Sequence, residues 1–351
     1  MPDQTLKVAL GVTLDDASVE LIRRREPRVE LLHEPGLTRP WRWTGDWEGD
    51  PAWQRDPGQQ QAFEALLDEA DALFGIPDVS PEALARTVRS NPRLRWVHTT
   101  AAGGGGQVKA AGLTAEELER VVVTTSAGMH ADTLAEWALF GVLAGAKDLR
   151  RLEADQAARR WGDGRRLMRH FGEMTVLVVR LGGIGRVVAE RFSALGATVW
   201  GTSRRSEPVP HVDRLVALDE LAAAAAEADA IVSALPGTDR TAGLLGAEVF
   251  GGLRPGTVFV NVGRGTVVDE AALLEALDAG RVGFAALDVT AVEPLPVDSP
   301  LWAHPGVLLS PHTAALSEQE PRRIAELFAD NAGRLLDGEP LLNVMDTREF
   351  Y

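Results

Sequence analysis

The fold is decided by residues 173–195, where Glu173-Met-Thr-Val-Leu-Val-Val179 is followed by Arg180-Leu-Gly-Gly-Ile-Gly185 and then by Arg186–Leu195. The first run is rich in β-branched residues, as buried parallel strands are. The last run is typical of a helix. A strand that enters a helix through a glycine-rich turn matches the context of the dinucleotide-binding fingerprint G-x-G-x-x-G.

The turn departs from that fingerprint at its first position. Gly182 and Gly185 stand at the second and third glycine positions, and Arg180 stands at the first. We expect Gly182 to let the backbone approach a pyrophosphate, and the amides around Gly183 and Ile184 to meet it at the helix N-terminus. The alternative interpretation is an ordinary turn between a strand and a helix, with glycines that serve packing.

Arg180 allows opposite interpretations. Its guanidinium could lie near a phosphate of the cofactor from a strained turn, it could block the cofactor, or it could be a one-base change from a glycine codon. If the turn requires a positive φ, arginine costs on the order of 1 kcal/mol there.

The end of the next strand bears on which dinucleotide would bind. Thr198-Val-Trp-Gly-Thr-Ser-Arg-Arg205 contains no acidic residue to bind a ribose 2′-hydroxyl. Ser203, Arg204 and Arg205 stand there instead, and guanidinium groups bind phosphate in a bidentate manner. We therefore predict NADP(H) as the preferred cofactor, with NAD(H) possible; a solvated basic loop is the alternative.

Strands and helices alternate on both sides of this turn. Strands are predicted at 6–13, 29–33, 72–75 and 94–98, with a helix that begins at Ser80-Pro81. Further strands are predicted at 198–202, 230–235, 258–262 and 284–289, and helices at 131–149 and 318–337. This alternation predicts parallel sheets covered on both faces, an α/β fold.

Residues 35–57 interrupt the pattern. Four of the nine tryptophans lie here, Trp41, Trp43, Trp47 and Trp53, together with several glycines and prolines. The segment is either an irregular loop that buries its indoles against its own domain or a partner subunit, or an apolar wall over a substrate pocket.

Composition limits the partners. A chain of 351 residues predicts two domains. Its 36 basic and 51 acidic residues give a net charge of −15, which disfavours nucleic acid and anionic membranes. No apolar run approaches the ~20 residues of a membrane helix, and no cysteine is present to form disulfides or thiolate metal sites. We predict a cytoplasmic protein without a metal site.

Three reactive side chains follow strand-like runs. They are Arg264 in Asn261-Val-Gly-Arg-Gly265, Glu293 in Asp288–Pro294, and His312 in Ser310-Pro-His312. Ligands bind at the carboxyl ends of strands in open α/β sheets, so the three are expected to converge. Arginine can clamp a carboxylate, histidine can exchange a proton with the adjacent carbonyl oxygen, and glutamate can orient the imidazole. Each residue taken alone could simply belong to a loop.

Together these motifs resemble the D-isomer-specific 2-hydroxyacid dehydrogenase family. The resemblance rests on Leu181–Gly185, Leu235-Pro-Gly-Thr-Asp-Arg-Thr241 and the three motifs above, within residues 94–345. It implies NAD(P)-dependent reduction of a 2-oxo acid to a D-2-hydroxy acid by a homodimer, with Arg264 as substrate clamp, His312 as acid/base and Glu293 as its partner. A regulatory cofactor sensor of the same fold, with turnover impaired by Arg180, is the alternative.

The family also implies further contacts. Leu235, Pro236, Thr241 and Val262 would line the cofactor, and Asp288 would meet the nicotinamide amide. In the substrate domain, Ala102 and Gly103 would offer backbone amides to the substrate carboxylate, and Gly75 would lie in another loop that approaches the substrate. The alternative for both loops is a plain connection between a strand and a helix.

The same resemblance implies the domain plan. It comprises two Rossmann-like or flavodoxin-like, doubly wound parallel-sheet domains with a cleft between them. The dinucleotide-binding domain is predicted at 128–313, inserted into a discontinuous substrate-binding domain formed by 1–127 and 314–351.

Overall fold

The computed structural model describes residues 5–161, 166–203, 207–348 and 350. The chain divides into two compact units. Unit 1 comprises Met1–His130 and Leu316–Tyr351, and unit 2 comprises Ala131–Ala315.

Unit 1 contains a five-stranded parallel sheet of order β2-β1-β3-β4-β5. Its strands are β1 Leu6–Leu10, β2 Val29–Leu32, β3 Ala72–Phe74, β4 Trp96–Thr99 and β5 Val122–Thr125. Its helices are α1 Asp16–Arg25, α2 Pro57–Glu69, α3 Pro81–Ser90, α4 Gly105–Ala110, α5 Ala115–Arg120 and the C-terminal helix Glu320–Asp337.

Local sequence signals explain where these helices begin and end. The predicted start of α3 is confirmed, because the Ser80 side chain accepts a hydrogen bond from the Ala83 amide at 3.2 Å. Asp15 caps α1 in the same way through the Ser18 amide. The C-terminal helix ends at Gly338, whose φ of +70° is the left-handed conformation that glycine adopts readily.

The tryptophan-rich loop packs partly within unit 1. The Trp47 indole meets Trp41 edge-on at 5.4 Å and donates a hydrogen bond of 3.0 Å to Glu320 in the C-terminal helix. Trp43 is different, because it remains 52% exposed and lies under the Arg42 guanidinium. Burial within its own unit therefore accounts for Trp47 but not for Trp43.

Unit 2 contains a seven-stranded parallel sheet of order β12-β11-β10-β9-β6-β7-β8. Its strands are β6 Thr175–Val179, β7 Thr198–Thr202, β8 Arg214–Val216, β9 Ala230–Ser233, β10 Thr257–Asn261, β11 Val282–Leu287 and β12 Val307–Leu309. Its helices are α6 Ala131–Ala146, α7 Leu149–Ala157, α8 Gly183–Ala194, α9 Leu221–Glu227, α10 Ala247–Gly251 and α11 Glu270–Asp278. Two parallel α/β sheets confirm the predicted fold class.

The strand register of unit 2 aligns the carboxyl ends of five strands. Val179 pairs with Ser233, Ser233 with Asn261, Asn261 with Leu287, and Leu287 with Leu309. The residues that follow these strands therefore emerge along one edge of the sheet. This edge carries the glycine turn and all three reactive motifs.

Several predicted strand ends lie one to three residues from the observed ones, and two helix boundaries were wrong for clear reasons. The helix predicted from Ala131 to Leu149 stops at Ala146, because Asp148 adopts a left-handed backbone with φ of +56° that no continuous helix tolerates. The helix after the glycine turn begins at Gly183 rather than Arg186. Within the described ranges, no helix combines the length and apolar character needed to cross a membrane.

Candidate active site

The glycine turn is built around a strained Arg180. Its φ is +81°, and its amide donates to the Thr202 hydroxyl at 2.8 Å at the end of β7. The next amide, of Leu181, donates to the Thr202 carbonyl at 2.8 Å. A side chain at Gly185 would overlap the Arg180 carbonyl oxygen, so only glycine allows α8 to start this close to β6.

Gly182 is covered by the side chain of Arg180. A Cβ atom at Gly182 would lie 2.6 Å from Nη1 and 3.0 Å from Cζ of the guanidinium. Behind it, Gly183 and Ile184 begin the 12-residue helix α8. Gly182, which has no side chain, and the N-terminus of α8 together fit a diphosphate. The group that lies where the diphosphate would approach is the flexible, positively charged Arg180 side chain and not backbone.

Of the three residues predicted to determine nucleotide specificity, the structure describes only Ser203. Ser203 follows β7 directly and is half-buried. Arg204 and Arg205 lie outside the described residues.

The loop after β9 contributes to the same edge. Leu235 and Val262 are buried. Thr241 closes a compact turn, because its hydroxyl donates to the Pro236 carbonyl at 2.6 Å and accepts from the Thr238 amide at 2.9 Å. Leu235 and Thr241 therefore belong to the loop after β9, the strand next to β6, and Val262 follows β10, one strand further along the sheet.

Arg264 is held by its own backbone loop. The Asn261 side chain donates to the Arg264 carbonyl at 3.1 Å and accepts from the Gly263 amide at 3.1 Å. A side chain at Gly263 would overlap the Leu235 backbone, and one at Gly265 would overlap the Thr290 backbone. Arg264 is thus fixed between the loops that follow β9 and β11.

The Arg264 guanidinium keeps a solvent-exposed face but is strongly desolvated. Burial of the group lowers its pKa, while the negative charges of Glu293 and Asp288 oppose that shift. The guanidinium still carries its charge at neutral pH, because the pKa of arginine starts far above that range. A weakly hydrated cation near the surface is suited to binding a carboxylate.

His312 and Glu293 form a hydrogen-bonded pair. The imidazole Nδ1 lies 2.7 Å from Glu293 Oε2, and Glu293 Oε1 accepts from the Thr290 amide at 3.0 Å. Because an ionised carboxylate only accepts, Nδ1 carries the hydrogen and Nε2 is the ring nitrogen for exchange with a substrate. The side chains are 45% and 37% exposed, so both can be reached from solvent.

Asp288 anchors the loop that carries His312. Its buried carboxylate accepts through Oδ1 from the Ser310 hydroxyl at 2.8 Å and from the Thr313 and Ala314 amides at 2.9 Å each. The His312 amide also donates to the Asp288 carbonyl at 2.8 Å. Asp288 therefore has a structural function that its predicted contact with the nicotinamide amide did not include.

Two positioning residues were missed from the sequence. Asn261 is fully buried and follows three apolar residues at the end of β10, a signal that could have identified it. Glu270, in the first turn of α11, accepts from the Ala291 amide at 2.7 Å and holds the loop before Glu293. Nothing in the local sequence distinguishes Glu270 from an ordinary helix-start acid.

The predicted substrate loops belong to unit 1. Gly75 follows β3 with φ of +82°, and its amide donates to the His98 carbonyl at 2.8 Å. A Cβ there would approach Val12 to 2.5 Å, so the position requires glycine. Ala102 and Gly103 lie between the neighbouring strand β4 and α4, with surface accessible to solvent.

Known proteins similar to this chain point to the same family as the sequence motifs do. Residues 139–314 match the model of the D-isomer specific 2-hydroxyacid dehydrogenase, NAD binding domain. The chain belongs to the D-isomer specific 2-hydroxyacid dehydrogenase family. The match confirms the predicted family and the prediction of a nicotinamide dinucleotide cofactor. Members of this family are oxidoreductases that act on 2-hydroxy acids, and the chain belongs to this class.

Several members of the family are similar to this chain. Glyoxylate/hydroxypyruvate reductase A of Salmonella typhi is 36% identical over 181 residues, which are 51% of this chain and 57% of the reductase. The matched stretch thus spans little more than half of that relative.

Several solved structures match nearly the whole chain, and two of them illustrate the similarity. One is a D-isomer specific 2-hydroxyacid dehydrogenase from Xanthobacter autotrophicus Py2 in complex with NADPH and MES, 30% identical with a TM-score of 0.78, covering 99% of this chain and 100% of its own. The other is an NADPH-dependent glyoxylate/hydroxypyruvate reductase from Sinorhizobium meliloti in complex with NADP and sulfate, 25% identical with a TM-score of 0.75 and the same coverage.

Proposed function

We propose that this chain reduces a small 2-oxo acid to the D-2-hydroxy acid with NADPH. The observation that carries the proposal is the His312–Glu293 pair at 2.7 Å, on the sheet edge that also bears Arg264 and the glycine turn. An acid/base pair, a carboxylate-binding cation and a dinucleotide turn are the parts that this reaction needs.

Each group has a defined task in the reduction. Arg264 binds the substrate carboxylate and polarises the adjacent carbonyl. His312 donates a proton from Nε2 to the carbonyl oxygen, and Glu293 holds the ring orientation and stabilises the imidazolium form. The nicotinamide cofactor, when bound, supplies the hydride. In the reverse direction His312 removes the hydroxyl proton.

Backbone amides are proposed to complete the substrate site. Ala102 and Gly103 would donate to the substrate carboxylate, and the loop at Gly75 would contact the rest of the substrate. On this proposal residues 1–127 and 314–351 form the substrate-binding domain, and residues 128–313 form the dinucleotide-binding domain.

NADP(H) is proposed as the preferred cofactor. Ser203, Arg204 and Arg205 stand where a 2′-phosphate would need a hydroxyl and cations, and the Xanthobacter relative was solved with NADPH. Reversing the charge of Arg204 and Arg205 to glutamate should raise the KM for NADPH by roughly tenfold or more and leave the KM for NADH nearly unchanged. An unchanged KM for NADPH would exclude these arginines as the specificity site.

A direct test follows NADPH oxidation with glyoxylate, hydroxypyruvate and phenylpyruvate. Glyoxylate and hydroxypyruvate are the first candidates, because the Salmonella and Sinorhizobium relatives carry these names. We expect turnover with at least one of the three and a product of D configuration for a chiral substrate. Tight NADPH binding without any turnover would instead support a cofactor sensor.

A further inference from the structure

The turn that would hold the cofactor diphosphate contains a cation that the fingerprint does not call for. The Arg180 side chain folds back along the turn, so that Nη1, Cζ and Nε lie 2.6, 3.0 and 3.5 Å from the Cβ position of Gly182. The three atoms lie at graded distances along that face. The guanidinium therefore lies across the side of Gly182 that a side chain would occupy.

This side of Gly182 is where close approach matters. Glycine stands at the second fingerprint position because a pyrophosphate passes where its Cβ would be. Unit 2 thus places a positive group at the point that a doubly negative ligand must reach. The positive end of the α8 helix dipole lies at the same point. It therefore favours an anion there and disfavours the guanidinium.

The Arg180 backbone cannot move out of the way, but its side chain can. The amide is held by Thr202, and the carbonyl oxygen is packed against Gly185. The long side chain has several rotatable single bonds, so the guanidinium can shift without moving the backbone of the turn.

We propose that Arg180 is a cofactor-binding residue: its guanidinium lies on the side of Gly182 that the diphosphate approaches, and it shifts to pair with the diphosphate when the dinucleotide binds. This inference rests on the proposed function only in requiring a dinucleotide. Guanidinium pairs with phosphate oxygens through two parallel, charge-assisted hydrogen bonds, which favours this pairing once a diphosphate is present.

The test measures dissociation constants by titration calorimetry for NADPH, NADH and ADP-ribose. The variants are Arg180→Lys, which keeps the charge, Arg180→Gln, which keeps the bulk without the charge, and Arg180→Gly, which removes both. Arg254→Gln is the matched control. It also removes one charge from unit 2, but it precedes β10 at the amino end of the strand, away from the turn.

We expect Arg180→Gln and Arg180→Gly to weaken all three ligands by a similar factor of roughly ten or more. Arg180→Lys should lie between them and the wild type, and the control should be unchanged. Affinity should also depend less on salt in the neutral variants, because one screened ion pair is lost. Melting temperatures of the cofactor-free proteins identify any variant that fails to fold.

Three results would overturn the inference. Tighter binding by Arg180→Gly would show that the guanidinium blocks the dinucleotide and does not bind it. A loss confined to NADPH would assign Arg180 to the 2′-phosphate, and unchanged constants would leave it without a binding role. These outcomes are separate from failure of the proposed function, which would appear as intact NADPH binding without reduction of any 2-oxo acid.

Discussion

The imidazole of His312 has one ring nitrogen engaged by Glu293 and the other left for chemistry. Replacing His312 with asparagine should lower kcat by about 10²–10⁴-fold, because the proton donor is lost. Glu293→Gln should lower kcat less, since the imidazole remains but loses its charged partner. Steady-state NADPH oxidation measures both effects.

His304→Asn is the matched control for these variants. His304 also lies in unit 2, but it precedes β12 at the amino end of the sheet, where its Nδ1 accepts from the Gly306 amide at 3.0 Å. The kcat of the His304→Asn variant should equal that of the wild type. Equal losses in His304→Asn and His312→Asn would contradict the assignment.

A second histidine controls stability rather than catalysis. His98 is fully buried in β4, where Nδ1 lies 2.8 Å from the Thr124 hydroxyl and Nε2 lies 3.2 Å from the Ser126 hydroxyl. Burial lowers the pKa of His98 to about 3. The folded protein therefore holds this ring neutral while the unfolded chain takes up a proton near its ordinary pKa of 6.5.

The free energy of unfolding should therefore decrease as the pH falls below 6.5. Between the two pKa values the unfolded state binds the extra proton, so His98 lowers the free energy of unfolding by up to about 1.4 kcal/mol per pH unit on acidification. Urea unfolding of wild type and His98→Gln at neutral and mildly acidic pH measures this. The variant should show a shallower decline, and parallel declines would show that His98 is not the titrating group.

At the level of elements, the loop after β10 is the most tightly confined part of the candidate site. Gly265 packs directly on the Thr290 backbone, so Gly265→Ala must displace either Arg264 or the segment leading to Glu293. We expect a loss of kcat/KM of roughly tenfold or more, since small displacements of clamping groups slow catalysis.

Gly251→Ala provides the comparison, because nothing lies within 4 Å of its Cβ position in α10. That variant should keep full activity in the same NADPH oxidation assay. If Gly265→Ala behaves like Gly251→Ala, the loop is not confined as described.

Elements with strong local signals were the predictable ones. The β-branched run of β6 and the Ser80-Pro81 start of α3 define their elements without help from the rest of the chain. β8 was missed, because Arg214–Val216 is a three-residue edge strand held by pairing with β7 alone. The functions of Asn261 and Asp288 as loop anchors depend on contacts between segments, which local patterns do not encode.

At the level of the whole molecule, unit 2 exposes several large apolar side chains. Trp161 is 99% exposed, Leu167 is fully exposed, and Phe140 and Met168 are nearly half exposed. Large exposed apolar side chains mark protein interfaces when they form one patch. We propose the homodimer that the family resemblance implies, with the fully exposed Leu167 in its interface.

Size-exclusion chromatography with light scattering tests the dimer. The wild type should have the mass of two chains, and Leu167→Asp should shift the mass toward one chain, because a buried unpaired charge opposes association. Leu218→Asp, at an apolar residue 56% exposed elsewhere in unit 2, should leave the mass unchanged. A monomeric wild type would exclude the dimer.

The left-handed backbone of His312 sets folding against function at a single residue. Its φ of +57° is uncommon for a side chain with a Cβ, and the loop maintains it through the bonds from the His312 amide to Asp288 and Ser310. His312→Gly should therefore melt at a higher temperature than His312→Ala, although both lack the imidazole. Selection for stability alone would favour glycine here, and the proton transfer that we propose for His312 is the demand that would keep a histidine in this position.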